Sequence, residues 1–504
     1  MLKSESYRKG VINSSLLNIL AKGLVFLNAI IISYYFGTTN NTDIYFYIVA
    51  VAALLCGAIN GIDYLVLVPE AINIRTNQSD LESKKFFNFF FFLYLFIGFI
   101  ILTFSYIIPI AFFNAFSKFD VNILKGFKEV LLMGSFIIFF QIVNNLMIAI
   151  LTSYKYFTIA IFSSFINSLL SIILTVIFHS KWGISGSVFG LLIGYIINFI
   201  ILIFTLKAKL KWSFKKVKIL KEKNIWKNIF FMQINIVPVW VKNYIILLLI
   251  SGMIAGTLSA YNLGNNIAII PEVFIIAQIL NVAGIKFSEL YALKFENETK
   301  ELFYKILDSL LIIIFPITII LSVCSTDIIE IIFLRGKFSA ENVHVTSKCL
   351  FFISLLLPIK VYDLLCTRLF TSNQLYSYTV LIATLIHLSF TAFTYYLSTK
   401  YQLDGLLYSF LIGNYIFLLA GFSFIILKKC PFIIDKQRLV QIVILICFSI
   451  LVFIVSFYLH SVFRGFNNFI KLCAIIFIVL LLYGLFIFKQ KSNYLFFKNI
   501  LINK

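Results

Sequence analysis

Nine side chains within the apolar stretches of this chain are of types that can hold a charged headgroup or a cation: Lys22, Asp43, Lys242, Asn262, Asn266, Glu272, Lys360, Asp363 and Arg368. A charge at mid-membrane costs about 2.5–3.5 kcal/mol on insertion scales, so such residues tend to face water or a ligand. Lys22 shares one helical stripe with Ser15, Asn18 and Ser33. It is read as facing a cavity, against the plainer reading of a polar seam packed on a neighbouring helix. Lys242 stands beside Asn243, four residues after Pro238. Lys360, Asp363 and Arg368 follow Pro358 on one broad helical face; their plainer role is a Lys360–Asp363 ion pair that steadies the helix. Asn262, Asn265 and Asn266 precede Pro271 and Glu272, and proline-broken spans line transport sites because the freed backbone carbonyls need a polar surface.

The chemistry these types permit is electrostatic capture rather than catalysis. Ion pairing with an anionic headgroup strengthens where water is scarce, so Lys22, Lys242, Lys360 and Arg368 are the expected contacts of such a headgroup, which the resemblance given below makes a diphosphate. Asn262 and Asn266 suit hydrogen bonding to a polar ligand, which the resemblance given below makes a sugar, and Glu272 and Asp363 suit an ion-coupling role with Na⁺ or H⁺. Asp63 is a weaker coupling candidate. Asp43 begins a span after the turn at 37–42, where the plainer role is helix capping. His179, His344, His387 and His460 are scattered, and the seven cysteines include no Cys-x-x-Cys pair. They read as packing residues rather than metal ligands, and no cofactor is expected.

The elements that must carry these residues are membrane helices. The sequence is 61% hydrophobic and 12% charged, and about fourteen apolar runs reach the roughly 20 residues a bilayer crossing needs. The expected fold is an all-α polytopic membrane protein: an N-lobe of six spans (1–206), a basic cytoplasmic linker (207–227), a second six-span lobe (228–427), and a C-terminal helix pair with a tail (428–504). Between 207 and 227 lie nine lysines against the single acid Glu222, and both terminal segments are basic, so both termini are expected in the cytoplasm. The net charge of +21 belongs to topology and anionic lipid contact rather than to nucleic acid. No run of sequence is long enough for a soluble catalytic domain, which argues against a polymerase or glycosyltransferase.

The chain also repeats itself. At an offset of about 219 residues, Thr152-Ser153 falls on Thr371-Ser372, Gly186 on Gly405, Gly194 on Gly413, Gly37-Thr38 on Gly256-Thr257 and Glu70 on Glu289. Internal repeats in an apolar chain point to a transporter of two pseudo-symmetric halves that move against one another. Lys22 falls on Val241, beside Lys242, which would give each half a lysine.

Two motifs add a resemblance. Phe36-Gly37 with Thr42-Asp43-Ile44-Tyr45-Phe46, and Phe333-Leu334-Arg335-Gly336-Lys337-Phe338-Ser339, resemble segments of the lipid II flippase (MviN/MurJ-type) family of the multidrug/oligosaccharidyl-lipid/polysaccharide exporter superfamily. The resemblance implies a transporter, not an enzyme. It flips an undecaprenyl-pyrophosphate-linked saccharide across the bacterial cytoplasmic membrane by alternating access, with the extra helix pair forming a groove for the polyprenyl tail. It also implies membrane lipids and envelope-synthesis enzymes as partners, a monomeric state, and substrate contact at Lys22 and Asp43. Asn28, Cys56 and Asn266 stand where the family carries arginines, so an O-antigen, capsule or exopolysaccharide repeat unit is the alternative to lipid II. A cation-coupled multidrug exporter is the more distant one.

Overall fold

The computed structural model describes residues 7–215 and 223–489. The terminal segments and residues 216–222 of the basic linker therefore lie outside the described residues, as do the side chains of Ser15 and Asn18. Among the described residues every regular element is a helix, as a chain deprived of water along its length requires. By its contacts the chain forms two units, residues 1–259 with 335–338, and residues 260–334 with 339–504.

The first unit holds α1 (Tyr7–Phe36), α2 (Asn40–Ile62), α3 (Val68–Asn77), α4 (Asp80–Ile107), α5 (Pro109–Asn114), α6 (Val121–Gly126), α7 (Lys128–Ser153), α8 (Phe157–Trp182), α9 (Ile184–Leu210) and α10 (Lys223–Ser251). A π-helical turn, Asp63–Leu67, joins α2 to α3, and the Val68 amide donates to the Asp63 carbonyl. The start of α4 shows the local rules: the Ser79 side chain accepts from the Glu82 amide at 3.2 Å, with Asp80 and Glu82 in the positive first turn. The phenylalanines of α4 then receive the beginning of the linker. Trp212 is buried, its Nε1 donates to Asn88 Oδ1 at 2.8 Å, and Asn88 Nδ2 returns a bond to the Ser213 carbonyl at 2.8 Å.

The contact division falls after Ser259 rather than in the 207–227 linker because α10 packs on α2. Trp240 Nε1 donates to the Leu54 carbonyl at 3.0 Å, and the Tyr244 hydroxyl to that of Ala115 at 2.8 Å. At Gly61 a β-carbon would sit only 2.3 Å from Ile236 Cδ1, so the Ile236 side chain fills the space that the missing side chain leaves.

The second unit continues with α11 (Thr257–Ala268), α12 (Ala277–Ala292), α13 (Glu296–Val323), α14 (Ser325–Phe333), α15 (Ala340–Ser354), α16 (Leu357–Ser372), α17 (Tyr376–Lys429), α18 (Lys436–Val462) and α19 (Asn468–Lys489); the first residues of α11 belong to the first unit. A second π-helical turn, Glu272–Ile276, leads into α12. The expected fourteen spans are not all recovered. Ten helices among the described residues are long and apolar enough to cross, or twelve if each of two bent pairs counts as one span. α15 and α16 form one such pair, bent by 41°. α17 joins the expected spans eleven and twelve in a single run, broken at Gln402 with φ +50° and ψ −127°.

The backbone repeats where the sequence does. Gly37 and Gly256, Lys155 and Gln374, and Gly183 and Gln402 all have positive φ, and the members of each pair stand 219 residues apart. Gly183, between α8 and α9, has φ +54° and ψ −138°, nearly the conformation of Gln402.

Candidate substrate and coupling site

The carboxylate that begins the second helix is wholly engaged. Thr39 and Thr42 cap α2 themselves, with the Thr39 amide donating to Thr42 Oγ1 at 2.8 Å. Buried Asp43 instead caps the start of α11: Oδ2 accepts from the Gly256 amide at 2.6 Å and Oδ1 from the Ser259 amide at 2.8 Å. The Ser259 hydroxyl lies 2.5 Å from Oδ1 and 2.8 Å from Thr42 Oγ1. A carboxylate at a helix N-terminus meets orphan amides and the positive end of the dipole together. Nearby, a β-carbon on Gly256 (φ +89°) would lie 2.3 Å from the Thr38 carbonyl oxygen. Gly336 of the second motif takes φ +62° against Tyr34, whose carbonyl accepts from the Lys337 amide at 2.8 Å.

Lys22 is exposed on α1, and Lys242 is half-buried on α10. The expectation placed one lysine in each half; by contacts both belong to the first unit, because α10 docks on α2. Two positions that carry arginines in the resembled family have other work here. Asn28 is buried and donates from Nδ2 to the Tyr45 hydroxyl at 2.8 Å, and Cys56 is buried.

The second unit carries the remaining candidates. On α16, Lys360 Nζ and Asp363 Oδ2 stand 3.8 Å apart, so the ion pair forms at long range with both side chains part-exposed. Arg368 reaches across to α12, where Nη2 donates to Asn281 Oδ1 at 2.6 Å. A β-carbon on Gly284, one turn beyond Asn281, would lie 3.3 Å from Arg368 Cδ. Asn281 and Gly284 thus form the shelf on which this guanidinium lies. Glu272 is half-buried as the first residue of its π-turn, which packs on α16. Asn262 and Asn266 are half-buried, one turn apart on α11. They face away from Gly264, whose close approach to Thr346, Cys349 and Leu350 sets α11 against α15.

Within the same unit lies an apolar cavity of about 770 Å³ lined by α13, α15, α16, α17 and α18, with Phe315, Phe351, Tyr362, Tyr415, Ile446 and Phe453 among its walls. The wall hydroxyls are largely spoken for. Tyr415 donates to the Leu355 carbonyl at 2.9 Å, Tyr362 and Ser423 lie 3.3 Å apart, and Ser449 receives Tyr483 at 2.7 Å. Such a surface offers dispersion contact and little else, which suits a hydrocarbon chain.

Of the unrepeated helices, α18 is pinned at both ends and α19 at its start. At one end Lys300 Nζ meets Asp435 Oδ2 at 2.9 Å and Arg438 Nη1 stands 3.8 Å from Asp308 Oδ2; the Lys300 ammonium holds the Asp435 carboxyl below its ordinary range. At the other end, Asp327 on α14 takes His460 Nε2 at 2.5 Å and Lys471 Nζ at 2.6 Å, while Asn468 donates to Glu330. Burial alone would raise the Asp327 carboxyl, but its bonds to His460 and Lys471 hold it lowered overall. Nothing local in the sequence marks this group, because its members are separated by more than a hundred residues.

The family profile described as "Lipid II flippase MurJ" matches residues 32–483. The chain belongs to the MurJ family of lipid II flippases. Members of the MurJ family are transporters rather than enzymes, so this chain is a multi-pass membrane transporter whose family handles a lipid-linked substrate. No curated protein matches its sequence. In fold it is similar to a solved "Lipid II flippase MurJ, inward closed conformation", with TM-score 0.79, 20% identity, and coverage of 95% of this chain and 99% of that one. It is also similar to an inward-facing multidrug resistance MATE family transporter of the MOP superfamily, with TM-score 0.67, 13% identity, and coverage of 84% and 98%. At these identities the likeness is one of fold.

Proposed function

We propose that this protein flips an undecaprenyl-pyrophosphate-linked saccharide across the cytoplasmic membrane by alternating access. The observation that supports this most is the apolar cavity of the second unit in a chain of MurJ-family sequence. In this reading the prenyl chain lies in that cavity. Lys22, Lys242, Lys360 and Arg368 take the diphosphate, and Asn262 and Asn266 bind sugar hydroxyls. Glu272 and Asp363 couple transport to Na⁺ or H⁺. Asp43, saturated by its own backbone partners, serves by holding the start of α11 rather than by touching substrate.

A charge-assisted hydrogen bond is worth about 1.5–3 kcal/mol, so Lys22→Ala and Arg368→Ala should each slow flipping of a fluorescent undecaprenyl-pyrophosphate saccharide about tenfold or more in proteoliposomes. Asn281→Ala should reproduce part of the Arg368 loss. Unchanged rates in both charge variants would remove these side chains from the site.

Asn28 and Cys56, where the resembled family has arginines, favour a second reading of the substrate. With fewer cations near the headgroup, a polysaccharide repeat unit on the same lipid carrier competes with lipid II. Side-by-side flipping of the two lipids by one preparation decides between them.

A further inference from the structure

In each repeat the helix that follows the first span breaks at a π-helical turn, and each turn opens on a carboxylic acid: Asp63 in one, Glu272 in the other. The two acids differ in their surroundings. Glu272 is half-buried, whereas Asp63 has no exposed surface. Its Oδ1 accepts from the Tyr94 hydroxyl at 2.6 Å, and its Oδ2 has no hydrogen-bond partner among the described residues.

Depth and neighbours define what this acid can bind. Tyr94 stands nine residues beyond Lys85, the last charged residue of α4, which is about 14 Å along a helix axis. Asp63 therefore meets α4 within its apolar run, away from the charged start of that helix. Among the described residues, Tyr94 on α4, Tyr64 beside it on the turn and Cys56 on α2 feel its charge; none of these three is a cation. The other packed elements add nothing nearby. α7 has no charged residue after Glu129, Glu70 of α3 is seven residues on, and α10 carries no charge between Lys227 and Lys242 around its contact at Ile236.

An ionised carboxylate in such a place costs several kcal/mol, and no ion pair among the described residues offsets it. A metal cation would need a shell of several oxygens; among the described residues the side chain bonded to the carboxyl is Tyr94, and no group of three or more His, Cys, Asp or Glu residues could hold a metal ion. A proton needs a single oxygen. Oδ2, the atom without a partner, is the place for it while Tyr94 holds Oδ1. The π-turn supplies a means of exposure, since such turns are local insertions that shift register at functional positions, and a shift here re-aims the first residue of the turn.

We propose that Asp63 is a proton-binding site that couples movement of the first unit to the proton gradient, with the acid protonated in the arrangement described here and deprotonated when the turn re-aims it toward water. The proton comes from bulk water on one side and returns to bulk water on the other; no bond other than O–H forms or breaks. This rests on the transport reading above and departs from it at one point: the coupling ion is a proton held by Asp63, in place of Glu272 and Asp363.

The test uses full-length protein in lipid nanodiscs, with infrared difference spectra recorded between about pH 5 and 9, the range in which buried carboxyls titrate. Wild type should show a protonated-carboxyl band that titrates, is lost in Asp63→Asn, shifts in Tyr94→Phe as its hydrogen bond is removed, and persists in Glu272→Gln. Exchanging sodium for choline should leave it in place. A band that survives Asp63→Asn, or no titrating carboxyl in folded wild type and Tyr94→Phe alike, would overturn the assignment. In proteoliposomes an imposed pH gradient should accelerate flipping by wild type and lose that effect in Asp63→Asn; a variant that still responds to the gradient would also overturn it. If wild type moves no lipid-linked saccharide, the transport reading fails, and the infrared result still decides proton binding.

Discussion

At the scale of single residues, the clearest cost in this structure is borne by Gln402. Its φ of +50° and ψ of −127° are a glycine conformation, and the repeat-equivalent residue is in fact Gly183. A side chain held at positive φ costs about 1–2 kcal/mol, so Gln402→Gly should raise the thermal unfolding midpoint. Gly183→Gln should lower it by a similar amount, because a β-carbon there meets nothing within 4 Å and only backbone strain enters. Gly405→Ala is a different case. Its β-carbon would fall 2.0 Å from the Leu397 carbonyl oxygen, so the hairpin itself must open. Unfolding curves in one detergent separate the three. Single residues were also where sequence reading was least complete. Lys360–Asp363 was legible from spacing alone, but the Asn281 shelf under Arg368 depends on α12 crossing α16, and the engagement of Asp43 with Gly256 and Ser259 depends on contacts more than two hundred residues apart in sequence.

At the scale of elements, the unrepeated helices α18 and α19 are held by the Asp327 group and by the Lys300–Asp435 pair, with the apolar cavity bordered by α18. Asp327→Asn removes the charge that gathers His460 and Lys471. It should therefore speed amide hydrogen exchange at the His460 end of α18 and the start of α19, while exchange in α7 stays as in wild type. The pH dependence has a definite sign. The folded Asp327 carboxyl is held below its ordinary value, so its contribution is complete above the unfolded carboxyl range near about 3.9. That contribution is lost as pH falls through the lower folded value. Exchange at these helix ends should rise in acid for wild type and be flat over the same interval in Asp327→Asn; acid-insensitive exchange in wild type would contradict the assignment. Helices were largely legible as apolar runs, but their ends and joints were not. The run from 376 to 429 turns at a glutamine rather than a glycine or proline, and the π-turns at Asp63 and Glu272 leave no periodic mark because they insert one residue's worth of register.

At the scale of the whole molecule, duplication explains most of what could be read in advance. The backbone carries the same 219-residue offset: Gly37 with Gly256 and Gly183 with Gln402 share positive φ even where the residue type has changed. The chain's family, its all-helical membrane fold and the apolar character of its C-terminal pair followed from composition and two short motifs. The grouping of α10 with the first unit did not, since it rests on Trp240, Tyr244 and Ile236 meeting α2 and its surroundings, and no rule of periodicity reports which helix a face will choose. The central claim is that this molecule moves a prenyl-pyrophosphate-linked saccharide from one leaflet to the other. Its most direct test is a leaflet-accessibility assay on proteoliposomes holding the full chain, a fluorescent undecaprenyl-pyrophosphate saccharide and a labelled phospholipid. Protein-dependent exchange of the saccharide lipid is expected, with no acceleration of the phospholipid. No exchange of the saccharide lipid, or equal exchange of both lipids, would contradict it.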